Sequence, residues 1–226
     1  DNYIHILIDD CSKDYGYSKA EEYIKTLNKD LQSKFMLVKS EKNIGAVANQ
    51  VRYIKKHCRD DRIIMLLDGD DCLMPNNTIF HYYNDLYETA EFTYGSSWSM
   101  ADNIPLVAQD YPGSVKTSRS YRQHKFAWNM PYTHLRTFKS ELFEYIDKKQ
   151  LLDENGEYMR AGGDGGLFYA LMEEADPDKV VAVKEIMYMY NDMNPLNDYK
   201  VNKEEQQRNA KRILDYEKNF NSSTNK

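Results

Sequence analysis

The sequence predicts an α/β domain: a mostly parallel sheet flanked by helices, then a less regular half and a C-terminal helix. Three observations carry this. Short apolar runs alternate with helix-patterned stretches through roughly the first hundred residues. The run Ile63-Ile-Met-Leu-Leu67 is apolar throughout, as a strand covered on both faces must be. Acidic and polar residues follow the apolar runs directly, and the carboxyl ends of parallel strands are where such sheets gather ligands.

In order, Ile4–Ile8 reads as a strand, Ser18–Leu31 as a helix with Ser18 at its cap, and Phe35–Lys39 as a strand. Ala46–Cys58 is helical in pattern, Arg62–Leu67 is a strand, Thr78–Glu88 an amphipathic helix, and Phe92–Ser96 a further strand. Residues 101–135 mix Pro, Gly, Ser, Arg and aromatics, and read as loops with short helices. A helix over Lys139–Lys148, a Gly-rich turn and a helix over Asp164–Glu174 come next. Short strands at Val180–Val183 and Glu185–Tyr190 and a polar helix over Asn202–Phe220 complete the reading, with the final residues as a tail. This divides the chain into an α/β half (1–100), a second half of the same domain (101–200), and a C-terminal helix and tail (201–226).

The 226 residues carry 30 Lys and Arg against 36 Asp and Glu, a net charge of -6, which argues against a dedicated nucleic-acid binder. No run approaches the ~18 apolar residues of a membrane span. The three cysteines, Cys11, Cys58 and Cys72, are scattered without zinc spacing or a disulfide framework, which points to a reducing, cytoplasmic setting. The 19 tyrosines suit clefts lined by rings with a hydrogen-bonding tip.

Three clusters fall at strand ends: Asp9-Asp10-Cys11-Ser12, Asn43-Ile44-Gly45, and Asp68-Gly69-Asp70-Asp71. Three carboxylates within four residues repel one another unless a cation or donors sit among them. An all-oxygen set favours Mg²⁺ or Mn²⁺ over zinc, completed by waters and substrate phosphates. The plain alternative is a solvated acidic turn. Asp10 is placed either to accept from the N–H of a pyrimidine base or to cap its own turn. A calcium loop starting at Asp10 fails, because its sixth position is Tyr15 where the loop needs Gly.

Taken together, an apolar strand ending Asp9-Asp10-x-Ser12, Asn43-x-Gly45 with Asn49 after it, and a strand ending Asp68-x-Asp70-Asp71 with Pro75 beyond resemble the family 2 glycosyltransferases. The likeness covers about residues 3–100 and implies a GT-A (Rossmann-like) fold acting on a nucleotide-sugar donor. It implies that Asp10 meets the base, with Asn43 nearby, that Asp68 lies by the ribose, and that Asp70, with Asp71 assisting, binds Mn²⁺ or Mg²⁺ on the diphosphate. It also implies a further strand ahead of Tyr3, which this sequence does not contain.

Ala161-Gly-Gly-Asp164 stands where inverting members of the family carry a general base, though many have Glu-Asp where this chain has Gly163-Asp164. If the enzyme instead retains configuration, Asp164 would hold the sugar; the plain alternative is an N-cap between glycines. The stretch His134-Leu-Arg136-Thr-Phe-Lys139 resembles a segment of a subset of these enzymes, as does Tyr190–Lys200; the likeness implies that His134 and Arg136 bind the donor diphosphate, the plain alternatives being a core-satisfied His and a surface Arg. Trp98 and Trp128 are candidates for stacking on a sugar face or for the core, and Arg119 and Arg122 for an anionic donor or for solvent. A chain rich in Lys, Asn, Ile and Tyr, with this His-Leu-Arg segment, is similar to virus- or bacterium-encoded members, giant-virus collagen-modifying glucosyltransferases among them.

The expected function is metal-dependent transfer of a sugar from a UDP-sugar, or another nucleoside-diphosphate sugar, to a hydroxyl of a glycan, protein or small molecule. Neither a nucleic-acid partner nor a membrane span is expected. Two rivals stand beside it. One is a catalytically inactive nucleotide- or carbohydrate-binding module. The other is a haloacid-dehalogenase-type phosphatase, which needs Thr or Val where Cys72 stands.

Overall fold

Each apolar run of the first hundred residues forms a strand or helix in the computed structural model, which describes residues 2–58, 61–76, 78–126 and 133–216. β1 (His5–Asp9) and β2 (Phe35–Lys39) pair in parallel across α1 (Gly16–Thr26) and a short α2 (Lys29–Gln32). The single helix expected over Ser18–Leu31 is broken because the Asn28 side chain accepts from the Leu31 N–H at 2.9 Å and so starts a new helix. α3 (Ala46–His57) leads to β3 (Ile63–Leu66), the acidic turn, a two-residue β4 (Cys72–Leu73), α4 (Ile79–Leu86) and β5 (Phe92–Ser99).

The second half is more regular than its composition suggests. β6 (Ile104–Leu106) forms a hairpin on β5, and α5 (Gly113–Ser118) and a 3₁₀ turn at Tyr121–Gln123 follow. β7 (Thr133–Lys139) occupies residues whose polar side chains hid a strand. The helix expected over Lys139–Lys148 shrinks to α6 (Leu142–Tyr145) because β7 runs through Lys139. A 3₁₀ turn at Lys148–Leu151 precedes α7 (Gly163–Glu174), and a second one at Pro177–Lys179 leads into β8 (Val180–Tyr190), one long strand where two were expected. α8 (Asp198–Val201) and α9 (Lys203–Leu214) complete the described fold. Trp128 and the tail from 217 onward lie outside the described residues; Trp98 is half-buried in β5, opposite Pro105 of β6 and Met189 of β8.

The larger sheet has the order β3-β7-β5-β8-β4, with β6 added to β5. The expected mostly parallel pairing is corrected here. Among the described residues, β1–β2 and β5–β8 are parallel, while β3–β7, β5–β7, β5–β6 and β4–β8 are antiparallel. The hairpin to β6 is too short for a crossover and β7 inserts between β3 and β5, so both strands run opposite to β5. Because β7 is antiparallel to β3, its beginning lies beside the end of β3: Arg136 pairs with Leu66.

The β5–β7 and β5–β8 ladders slip near Gly95 and Ser96. At Gly95 an added Cβ would sit 2.7 Å from the Leu135 nitrogen, so β7 approaches to a distance that only glycine permits. The Ser96 hydroxyl donates to the Val183 carbonyl at 2.8 Å and accepts from the Ala108 N–H at 3.0 Å, which fills the slip on the β8 side.

One apolar core joins α3, β5, β7, α7 and α9, from Val47 through Phe92, Phe138 and Leu167 to Ile213. Arg122, expected to meet a donor or solvent, is instead inside it. Its side chain is 2 % exposed and that of Glu173 3 %, with Nε 2.5 Å from Glu173 Oε1. Nη2 donates to Glu173 Oε2 at 3.0 Å and to Gln150 Oε1, and Nη1 donates to the Ile213 carbonyl at 2.6 Å, so this one cation ties α7 to the end of α9. Asp10 does similar work at the surface: its carboxylate accepts from the Ile44 N–H at 3.0 Å and the Gly45 N–H at 2.7 Å, which joins the end of β1 to the start of α3.

Two outcomes are expected. Arg122→Met strands a buried carboxylate and should destabilise the fold by about 3–5 kcal/mol, read by chemical denaturation; a loss below 1 kcal/mol would contradict the role given to the pair. Asp10→Asn turns an amide N–H₂ toward backbone N–H groups. It should cost about 1–3 kcal/mol and speed amide exchange at Ile44 and Gly45.

Candidate active site

The acidic turn after β3 is held from below by β8. The Asp68 N–H donates to the Tyr188 hydroxyl at 3.2 Å, and that hydroxyl donates to Asp71 Oδ2 at 2.6 Å. The other oxygen of Asp71 accepts from the Asn191 N–H at 2.6 Å. Asp70 faces away from this arrangement: its Oδ2 accepts from Asn194 Nδ2 at 2.6 Å and its carbonyl from Asn191 Nδ2 at 3.2 Å.

β7 supplies the opposite wall. His134 and Arg136 both come from this strand and lie close enough for the charge of Arg136 to act on the imidazole. His134 stacks on Tyr188, with ring centres 4.6 Å apart and planes at 19°, and also on Tyr190. Its Nε2 lies 3.9 Å from Asp68 Oδ2. Arg136 lies over the Phe168 ring at 4.0 Å and donates to Asp164 Oδ2 at 2.7 Å; its side chain is 6 % exposed against 50 % for Asp164.

The electrostatics of the cleft follow from this crowding. Burial is the main force raising Asp68, to about 6; Arg136 opposes the rise, and Asp164, Asp71 and Asp70 add to it. Burial also raises Asp71, against the hydrogen bonds from Tyr188 and Asn191. Burial, and then the charge of Arg136, holds His134 well below its ordinary value, so its approach to Asp68 is that of a neutral imidazole and not an ion pair. Burial would raise Asp164 too, but the charge and hydrogen bond of Arg136 and the Gly165 N–H outweigh it and keep the carboxyl below its usual range.

One ligand atom from each of Asp68, Asp71 and His134 falls within a sphere where all lie within 4.8 Å of one another. Two carboxylates and a neutral imidazole, gathered where negative charge is uncompensated, can hold a divalent cation. Sequence reasoning pointed to Asp70 with Asp71 as the metal pair; Asp70 is not in this trio, because Asn194 draws its carboxylate aside. His134, expected to bind the diphosphate, joins the trio. Asp68, His134, Arg136 and Asp164 therefore share one cleft with Asp71. Asp10 and the exposed Asn43 sit at the ends of β1 and β2, where Asp10 is already engaged with the loop backbone.

The departure at position 163 has a packing cause. A Cβ there would lie 2.7 Å from Val47 Cγ2 and 2.8 Å from Met159 Cβ, so the close approach of α3 to the start of α7 excludes the Glu that many family members carry. Asn191 and Asn194 are marked in the sequence only as part of the Tyr190–Lys200 stretch, with no role, and Tyr188 is not marked at all; a tyrosine inside an apolar strand gives no local sign that its hydroxyl meets an acidic turn more than a hundred residues away.

No helix among the described residues is long and apolar enough to cross a membrane. A search of curated proteins found no match. Among solved structures, the fold resembles that of S. aureus TarS. TarS 1-349 in complex with UDP superposes with a TM-score of 0.53 at 16 % identity, over 94 % of this chain and 56 % of that one. TarS 1-349 without UDP gives 0.52 at 14 % identity over the same shares, and a longer TarS structure gives 0.50 at 16 % identity over 87 % of this chain and 32 % of that one. This chain thus spans between a third and little over half of those proteins, and the likeness is one of fold. The narrower likeness to giant-virus collagen-modifying enzymes finds no support in these comparisons. The model of the family described as Glycosyl transferase family 2 matches residues 1–146, well over half of the chain. With the acidic turn at the end of β3 and the central sheet flanked by helices, this sets aside the phosphatase alternative: the chain belongs to glycosyl transferase family 2.

Proposed function

We propose that this chain carries the donor-binding and catalytic site of a metal-dependent glycosyltransferase that moves a sugar from a UDP-sugar to a hydroxyl of a glycan, protein or small molecule. The observation that carries the reading is the shared cleft: a cation-competent trio, an arginine and a third carboxylate, gathered at the end of β3. The presence of UDP in a structurally similar TarS supports uridine as the base.

In this reading Asp68, Asp71 and His134 hold Mn²⁺ or Mg²⁺, with Asp70 close by, and Asp10 and Asn43 border the nucleoside. When bound, the cation supplies charge neutralisation for the departing diphosphate. Arg136 faces the same diphosphate from β7 and adds a second, fixed positive charge. Asp164 is kept ionised by Arg136 and can accept the proton of the attacking hydroxyl; as Arg136 turns its charge to the donor, Asp164 gains basicity. Phe168 under the guanidinium keeps Arg136 from following its charge partners into solvent.

A thermal-shift panel of nucleotide-sugars with Mn²⁺ tests the reading, because a ligand that binds only the folded state raises the melting temperature. Stabilisation by UDP-sugars in the presence of Mn²⁺ is expected, and indifference to every nucleotide would overturn it. Asp164→Asn should lower transfer by about 10²–10⁴-fold while UDP affinity stays within about threefold; a chain that binds UDP and Mn²⁺ but never transfers or hydrolyses would instead be the binding module.

The pH dependence has a definite sign. Asp68 titrates at about 6 in the cation-free fold, above its unfolded value, so its contribution to apo stability is greatest at low pH and is lost as pH rises through 6. Cation binding needs the ionised form and must run the other way. The increase in melting temperature caused by Mn²⁺ should therefore be small at pH 5 and full at pH 7.5; equal increases at both would exclude Asp68 as a ligand.

A further inference from the structure

Tyr188 touches every member of the cation trio. Its backbone is fixed on both sides, opposite Ser97 of β5 and Leu73 of β4, and its side chain is fully buried. The Asp68 N–H can only donate, so the single hydroxyl proton of Tyr188 is directed to Asp71 Oδ2. With Asn191 N–H on Oδ1, the Asp71 carboxylate is pinned at both oxygens and cannot rotate, while each keeps a lone pair for a cation. The same hydroxyl sets the start of the Asp68 side chain through its backbone, and the ring face sets the plane of His134.

We infer that Tyr188 is a positioning residue of the cation site, whose hydroxyl and ring together fix the mutual spacing of Asp68, Asp71 and His134. The inference rests on the reading that this trio holds a divalent cation. Hydrogen-bonding partners of metal ligands keep the ligands preorganised, and their loss typically weakens metal affinity by about 10–100-fold. Tyr188 is well placed for that role because a rigid, fully paired strand delivers it, leaving no side-chain freedom to be lost when a cation arrives.

The test is titration calorimetry with Mn²⁺, in the presence and absence of UDP, on the wild-type chain, Tyr188→Phe, Asp71→Ala and Tyr87→Phe. Tyr188→Phe keeps the stack on His134 and removes only the two hydroxyl hydrogen bonds. Tyr87→Phe removes a comparable buried hydroxyl contact, to Thr137 at 2.8 Å, and serves as the control for general loosening. Tyr188→Phe is expected to weaken Mn²⁺ about tenfold, with metal-free UDP affinity unchanged, and Tyr87→Phe to bind Mn²⁺ as the wild type does. Wild-type affinity in Tyr188→Phe, or equal weakening in both tyrosine variants, overturns the inference while leaving the cation reading intact if Asp71→Ala abolishes binding. Failure of the wild type to bind Mn²⁺ overturns both. Should Tyr188→Phe not fold, Tyr188→Met removes both the hydroxyl and the ring at similar volume. It is expected to weaken Mn²⁺ at least about tenfold, and unchanged affinity there overturns the inference.

Discussion

The parallel ladder between β5 and β8 is the constraint on which the site depends. β8 spends eleven residues against the eight of β5, and the surplus is taken up where the register slips on either side of Ser96. A one-residue slip exchanges the two faces of a strand, so these irregularities decide which side chains of β8 reach the acidic turn. With Ser96 holding the Val183 carbonyl, the ladder resumes at Ser97 opposite Tyr188, and the tyrosine arrives under Asp68 and Asp71. Lys184, which falls between the two strands expected here, and Glu185 lie in the same irregular part and reach outward to the Ala108 carbonyl and the Tyr82 hydroxyl.

Around that scaffold the cleft separates its charges instead of balancing them. Arg136 is shared between Asp164, which it holds ionised, and Asp68, which it only partly relieves. The excess of carboxylate at Asp68, Asp70 and Asp71 is a cost that an apo protein bears and that a cation would remove. A buried ion pair elsewhere in the fold, Arg122 with Glu173, shows the contrasting solution, in which all charge is matched inside the protein and nothing is left for a ligand. Arg122 and Arg136 thus have opposite destinies, and the difference is whether the partner carboxylate is closed in or opens on the cleft.

Much of the first half was legible in sequence. Phe35–Lys39 and the helix from Ala46 follow directly from apolar period and flanking polar residues, and they fall as expected to within a residue. The acidic turn, and Asp164 at the start of a helix, were also visible, because a carboxylate cluster after an apolar strand has few purely structural reasons to exist. β7 was not visible, since Thr133–Lys139 carries His, Arg, Thr and Lys on a strand whose partners only the sheet reveals. The choice between Asp70 and His134 as companion to Asp71 was likewise beyond local pattern: it turns on Asn194 and Tyr188, which approach from the far end of the chain.

What the sequence determined by itself is the set of local facts: an α/β alternation, three polar strand ends, and a family likeness carried by Asp10, Asn43, Gly45, Asp68, Asp70 and Asp71. What only the tertiary structure decided is which of these groups meet. A carboxylate's role depends on the dielectric and the donors around it, and those come from β7, β8 and α7, each brought in by a strand register or a helix contact of long sequence separation. Gly163 shows the same division on the smallest scale: the sequence displays a glycine before Asp164, and only the nearness of Val47 and Met159 explains why nothing larger stands there.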